Sequence, residues 1–294
     1  MITREQYRQF TEEGYLVVSG LFDAREVAKI QDHFMAMNAA GTYPGAENSL
    51  DRSSPDPLRH YPRIMQPHRW DDLSLRWLID PRLNGVMTAL LGREPYAVQT
   101  MFYFKPPKAR GQALHQDQYY LQVQPGTCMA AWMAIDDCDE ENGCLQVVPG
   151  SHTWPLLCTV EADTNQSFTD VTVPIPEGTE VRPVVMKAGD VLFFNGQLVH
   201  GSFPNTSTSR FRRSLIGHYI VGEAEKVYRY YHPVLRMDGS LVELGVSERG
   251  DTCGKWVEVN GQPVLEMQGV ADTAATPAPG LVVVHSDMSI VRFR

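Results

Sequence analysis

The chain has 294 residues, of which 43% are hydrophobic, a formal net charge of −9 and a mean hydropathy of −0.27. This is enough apolar material for one large domain with a sizeable core. The acidic balance, the lack of a Lys/Arg cluster and the lack of an apolar run of spanning length argue against nucleic acid and membrane as partners.

Met1-Ile2-Thr3-Arg4-Glu5 does not have the basic-then-apolar layout of a signal peptide. The five cysteines are Cys128, Cys138, Cys144, Cys158 and Cys253, an odd number without a C-x-x-C spacing. They are expected to be small buried hydrophobes in a reducing, cytoplasmic setting, and not a disulfide framework or a thiolate zinc site.

In chain order, Thr3 is placed to cap a short helix ending near Gly14. Tyr15-Leu16-Val17-Val18 reads as a strand. Asp23 caps a second helix, with Val27, Ile30 and Phe34 at helical spacing on its packed face. From Gly41 to about His68 the chain is rich in Gly, Pro, Asp and Ser, and reads as a long loop, either disordered or a functional lid. His60, Arg63, His68 and Arg69 lie in or beside it, and at least one of them is a candidate for a substrate contact. Residues 73–78 and 81–91 read as helices, the second with Asp80 as cap and Pro81 in its first turn.

From Tyr96 the pattern changes to short strands separated by Gly, Pro and Asp turns: 96–105, 128–135, 145–148, 184–186, 191–194 and 214–221. Such a series suggests a sandwich or a barrel. The acidic turn 137–142 reads as a solvated corner. Residues 271–280 read as a linker-like loop before a last strand, 281–285.

Within this β region lie His115-Gln116-Asp117 and, far downstream, His200. Two histidines and one carboxylate are the protein ligands of a non-haem iron(II) site with open positions. On a strand, His115 and Asp117 point to the same face, and His200 must arrive from another strand.

The order of further motifs carries a family likeness. His115-Gln116-Asp117 is followed by AWMAIDD from Ala131, ENGCLQVVPGSH from Glu141, AGDVLFF from Ala188, His200-Gly201-Ser202 and Arg212-Arg213-Ser214. Over roughly residues 5–221 this resembles the phytanoyl-CoA dioxygenase family of iron(II)- and 2-oxoglutarate-dependent oxygenases. The resemblance implies a mainly β fold with flanking helices, a double-stranded β-helix (jelly-roll, cupin-like) barrel. The core is expected at 96–221, with a helical flank at 1–95 and a C-terminal extension at 222–294, all in one domain.

The resemblance also implies site roles. His115, Asp117 and His200 match the iron ligands, and a carboxylate at Asp117 disfavours halogenation. Arg212 matches the arginine on the distal carboxylate of 2-oxoglutarate, with Ser214 on the same strand face. Arg213 faces the other side by alternation, and Arg210 belongs to the preceding loop. Met101 and Trp132 match cosubstrate-pocket positions, and Gln99 shares their inward face. Gln116, Tyr119 and Tyr120 are candidates for holding substrate. His33, His152, His218, His232 and His285 are read as structural.

The expected activity is therefore dioxygenation, using Fe(II), 2-oxoglutarate and O2, and hydroxylating a small free metabolite with release of succinate and CO2. A monomer or a homodimer would serve. The alternative is a cupin-like metal-binding protein without oxidative activity, which would have no need of Arg212. The aromatic residues after Val221 suggest a lid or a dimer contact.

Overall fold

The computed structural model describes residues 2–248, 250 and 252–269, with the backbone of the strands Val282–His285 and Ile290–Arg292. Helix α1 (Arg4–Glu13) begins in a capping box. The Thr3 hydroxyl accepts from the Gln6 amide, the Gln6 side chain accepts from the Thr3 amide, and Gly14 closes the helix at φ 82°. Strand β1 (Tyr15–Val18) follows. Helix α2 (Ala24–Ala40) repeats the capping device with Asp23 and Glu26. Its Val27, Ile30 and Phe34 are buried, and Phe34 stacks on Phe102 with ring centroids 4.0 Å apart.

Residues 41–68 are more ordered than a lid-like loop. They form α3 (Ala46–Ser49), α4 (Pro57–His60) and strand β2 (Ile64–Met65), with Asp56 capping α4 and pairing with Arg110 at 2.6 Å. Short polar-capped turns carry no periodicity for a sequence to display, so the sequence does not reveal this order. Helices α5 (Asp72–Leu78) and α6 (Pro81–Leu91) lie where the caps placed them.

The β region begins with β3 (Tyr96–Tyr103) and β4 (Gln112–His115), followed by the short helix α7 (Gln118–Leu121). Next come β5 (Cys128–Ala134), β6 (Leu145–Val147), β7 (Val160–Glu161) and β8 (Val171–Thr172). Strands β9 (Arg182–Val184), β10 (Val191–Asn195), β11 (His200–Ser202) and β12 (Ser214–Ile220) complete it. The strand expected at 184–186 lies two residues earlier, and Met186 makes only an isolated bridge to Cys138. Beyond it come β13 (Lys226–Tyr228), β14 (Val234–Leu235) and β15 (Leu241–Val242).

A large sheet runs β1-β10-β5-β12-β3-β14-β15, with β2 also on β3, and a smaller sheet runs β4-β11-β6-β9. Both are antiparallel. Among the described residues they form two open sheets and not a closed barrel.

Both faces of the large sheet are covered. Met129, Ala131 and Met133 of β5, with Val191 and Phe193 of β10, pack against the helices. The alternate residues Ala130, Trp132 and Ala134, with Leu192 and Phe194, pack with Leu145, Val147 and Val184 of the smaller sheet. Two-sided burial explains why these strands read as continuous apolar runs.

The segment after Val221 is tied in. Strands β14 and β15 extend the large sheet, and Leu265 packs on Val148, Leu157, Val173 and Val199. Leu265 belongs to β18 (Gln262–Gln268), which follows β16 (Gly245–Ser247) and pairs with β17 (Cys253–Val259). Cys158 and Cys253 form a disulfide, which corrects the expectation of five unpaired cysteines. Sequence separation hid this pair. The disulfide also takes away the support that cysteine usage gave to a reducing compartment. Cys128, Cys138 and Cys144 are free and buried, as expected.

The last expected strand is present as Val282–His285 and pairs with β18. The expected loop 271–280 lies outside the described residues, as does the side chain of His285. Among the described residues no helix is long and apolar enough to cross a membrane.

Candidate active site

His115 ends β4 and His200 opens β11. The two strands are antiparallel neighbours, with His115 and His200 directly opposite each other and their ring centroids 4.2 Å apart. Asp117 departs from the expected strand geometry. Its backbone is helical (φ −64°, ψ −31°) and it heads α7, so the turn, and not strand alternation, swings its carboxylate toward the imidazoles. His115 Nε2 lies 3.5 Å from Asp117 Oδ1 and His200 Nε2 lies 3.7 Å from Oδ2. One ligand atom from each of the three residues falls within 4.8 Å of the others.

The ring nitrogens are oriented for a cation. His115 Nδ1 donates to the Ala113 carbonyl at 2.9 Å and His200 Nδ1 to the Leu198 carbonyl at 3.0 Å, tautomers assigned from these bonds. Each Nε2 lone pair is thereby turned toward Asp117, as in histidines that ligate metals. Burial, then the neighbouring His115, pushes His200 down to about 4, so it is a neutral imidazole. Burial raises the Asp117 carboxyl, but the imidazoles around it, with the hydrogen bond from His218, outweigh that and hold it well below the usual range. One carboxylate and two imidazoles, all buried, form a donor set for a divalent metal.

His218, expected to be structural, belongs to this centre. Its Nε2 donates to Asp117 Oδ2 at 3.0 Å. Its position on the same strand face as Ser214 was the available signal. Gln116 goes the other way. It points out of the cavity, donating to the Pro155 and Gln197 carbonyls and accepting from the Leu157 amide, so it anchors the ligand-bearing turn and does not hold substrate.

The centre opens on a cavity of about 470 Å3 between the sheets. Gln99, Met101 and Trp132 line it. Arg212, 2% exposed, precedes β12 and also lines it. Its Nε donates to the Gly143 carbonyl at 3.0 Å, its Nη1 donates to Ser214 Oγ at 3.0 Å, and its guanidinium carbon lies 5.2 Å from the Trp132 ring centroid. Arg210 pairs with Asp139 and Glu141, and Arg213 with Asp136, so the neighbouring arginines are spoken for elsewhere.

Lys105, which belongs to none of the sequence motifs, is also 2% exposed. Its Nζ donates to Ser202 Oγ at 2.8 Å and to the Gly143 and Phe203 carbonyls. Burial, then Arg212, pushes its ammonium well below the ordinary lysine range. Among the described residues no carboxylate pairs with Arg212 or Lys105. A buried cation left without a counter-ion is costly, so this end of the cavity is built for an anion. Both Lys105 and Ser202 had a signal in strand parity, with Met101 and with His200 respectively.

Of the four polar residues in or beside 41–68, Arg63 reaches the cavity. His60 bonds the Ser54 carbonyl, and Arg69 donates to the carbonyls of Tyr230 and His232. His68 is buried, with its amide and Nδ1 both on Thr100 Oγ1.

Burial, then Arg69, pushes His68 down to about 4. The unfolded imidazole titrates near 6.5, so the unfolded chain takes up the proton first. His68 therefore contributes stability above pH 6.5 that is lost as pH falls toward 4, on the order of 2 kcal/mol. Urea unfolding at pH 7 and pH 4.5 should show a smaller acid loss in His68→Gln than in wild type; equal losses would refute this.

The Phytanoyl-CoA dioxygenase family model matches residues 10–214. The chain belongs to this family. The phytanoyl-CoA dioxygenase family members it resembles include phytanoyl-CoA dioxygenase 1 of Oryza sativa subsp. japonica, 26% identical over 73% of this chain and 88% of that protein. The peroxisomal phytanoyl-CoA dioxygenase of Bos taurus is 27% identical over 74% of this chain and 68% of that protein. Among solved structures, the epimerase SnoN in complex with Fe3+, alpha ketoglutarate and nogalamycin RO superposes with a TM-score of 0.60 at 20% identity, covering 84% of this chain and 95% of that one. At that identity the likeness is one of fold.

Proposed function

We propose that His115, Asp117 and His200 hold Fe(II), that Arg212 and Ser214 hold the distal carboxylate of 2-oxoglutarate, and that the enzyme hydroxylates a C–H bond of a small metabolite. The observation that carries this reading is the polarity of one cavity. A carboxylate and two imidazoles stand at the metal end, and the buried guanidinium of Arg212, unpaired with any carboxylate among the described residues, stands at the other. Iron and 2-oxoglutarate, when bound, supply the activation of O2 and the oxidant, with succinate and CO2 released.

The chain's own residues bind, orient and exclude water. The backbone carbonyls of Ala113 and Leu198 fix the two imidazoles, and His218 fixes the carboxylate. Arg212 is itself held by Gly143 and Ser214, so its guanidinium is presented at a fixed angle and position. Lys105 stands behind it, its amine on Ser202 Oγ and on the Gly143 carbonyl that Arg212 also uses. Met101 and Trp132 give the cosubstrate's methylenes an apolar wall, with Gln99 as a polar group beside them. The two-sheet arrangement is read as a double-stranded β-helix, with residues 96–221 as its core in a single oxygenase domain. One copy of the chain carries every residue the site uses. A cupin-like metal protein without oxidative chemistry would leave Arg212 and Lys105 without a role.

The test is decarboxylation of 2-oxoglutarate by the iron-loaded protein in air. Succinate and CO2 are expected in equal amounts, and none when zinc replaces iron. No succinate above the metal-free control, with iron bound, contradicts the reading.

A further inference from the structure

Apart from Arg212 and the residues of the metal centre, the charged side chains that line the cavity are Arg63 and Asp170. Arg63 is carried by a fixed element. It precedes β2, which pairs with β3 through Ile64 opposite Phe102 and Met65 opposite Met101. Alternation sends Ile64 into the helix-side core and leaves Arg63 and Met65 facing the cavity. The guanidinium is steadied by rings. Its carbon lies 4.9 Å from the Phe168 centroid and 5.5 Å from that of Tyr103, and Nη1 donates to the Tyr103 hydroxyl at 3.3 Å.

Among the described residues no carboxylate pairs with Arg63. An arginine stacked on aromatic rings keeps its fork of donors available for a planar anion. In the proposed reading the distal carboxylate of 2-oxoglutarate is taken by Arg212 and its other end by the metal, so Arg63 remains for the substrate. Around it Tyr119, Tyr120, Tyr230 and Tyr231 supply amphipathic wall. Asp170, the other charged residue of this lining, is exposed. A single cation suits one negative charge and disfavours a polyphosphate, which needs a cluster of basic groups.

We propose that the substrate is a free acid with one carboxylate, gripped by Arg63, and not a coenzyme-A thioester. The proposal rests on the dioxygenase reading.

The experiment uses the anaerobic Fe(II) and 2-oxoglutarate complex of the full chain. It follows the visible band of the chelate while hexanoate, hexanamide or hexanoyl-CoA is added, in wild type and in Arg63→Gln. Hexanoate is expected to perturb the wild-type band at a concentration about tenfold or more below hexanamide, the scale of one charge-assisted contact. Arg63→Gln is expected to form the band and lose the discrimination.

The proposal is overturned if the amide matches the acid, if hexanoyl-CoA acts at a lower concentration than hexanoate, or if all three are silent at millimolar concentration. Discrimination that survives in Arg63→Gln also overturns it, as does loss of the chelate band in that variant, which would assign Arg63 to the cosubstrate. A wild-type protein that forms no band brings down the dioxygenase reading itself, and the proposal with it.

Discussion

Replacing Arg212 by methionine is expected to raise the dissociation constant of 2-oxoglutarate by about 10²- to 10³-fold while leaving the fold intact. The magnitude follows from removing one partner of a desolvated, hydrogen-bonded charge pair, which costs about 3–4 kcal/mol. Methionine keeps much of the volume, so the effect isolates the charge and its donors. Stability should move the opposite way from affinity. Burial already holds the Arg212 guanidinium below its ordinary pKa, and no carboxylate offsets it among the described residues. The cosubstrate-free variant is therefore expected to unfold at the same or a higher urea concentration than wild type. Calorimetric titration with 2-oxoglutarate and urea unfolding, run on the same samples, check both halves. Unchanged cosubstrate affinity would remove Arg212 from the site.

Asp117→Ala is expected to lower succinate formation by at least about 10³-fold. Loss of partners that merely support a metal ligand costs 10- to 100-fold, and a carboxylate ligand contributes charge as well as geometry. The variant leaves two imidazoles and no anionic ligand, weakening the hold on iron, and it strips His218 Nε2 of its acceptor. Iron content after loading separates the two losses. Turnover should remain depressed even at iron concentrations that restore full occupancy. Full turnover with iron reconstituted would contradict the assignment of Asp117.

Much of the fold was legible in the sequence because its signals are local. Thr3, Asp23 and Asp80 begin helices by capping, and Gly14 and Gly41 end them with left-handed backbone. The large-sheet strands were legible through apolar runs that are buried on both faces. What was not legible depends on contacts distant in sequence or on turns. The order within 41–68 comes from short polar caps and from β2 docking on β3. The disulfide joins residues 95 apart.

The site divides in the same way. The candidate metal donors follow from a short motif and a family order, although the route of Asp117 to the centre runs through a helical turn that the two-residue spacing does not reveal. His218, Lys105 and Ser202 sit at inward parity with residues already singled out. Recognising them required the facing strand, because parity alone does not tell a cavity from a core. Tyr230 and Tyr231 follow the matched region 10–214 in sequence and reach the cavity because β14 continues the large sheet beside β3.

The most direct measurement is an anaerobic titration of the metal-free protein with Fe(II) and then 2-oxoglutarate, followed by visible absorption. A charge-transfer band that saturates at one equivalent of each, and that succinate in place of 2-oxoglutarate does not produce, is the predicted result. Iron that binds without any band on addition of 2-oxoglutarate would contradict the account.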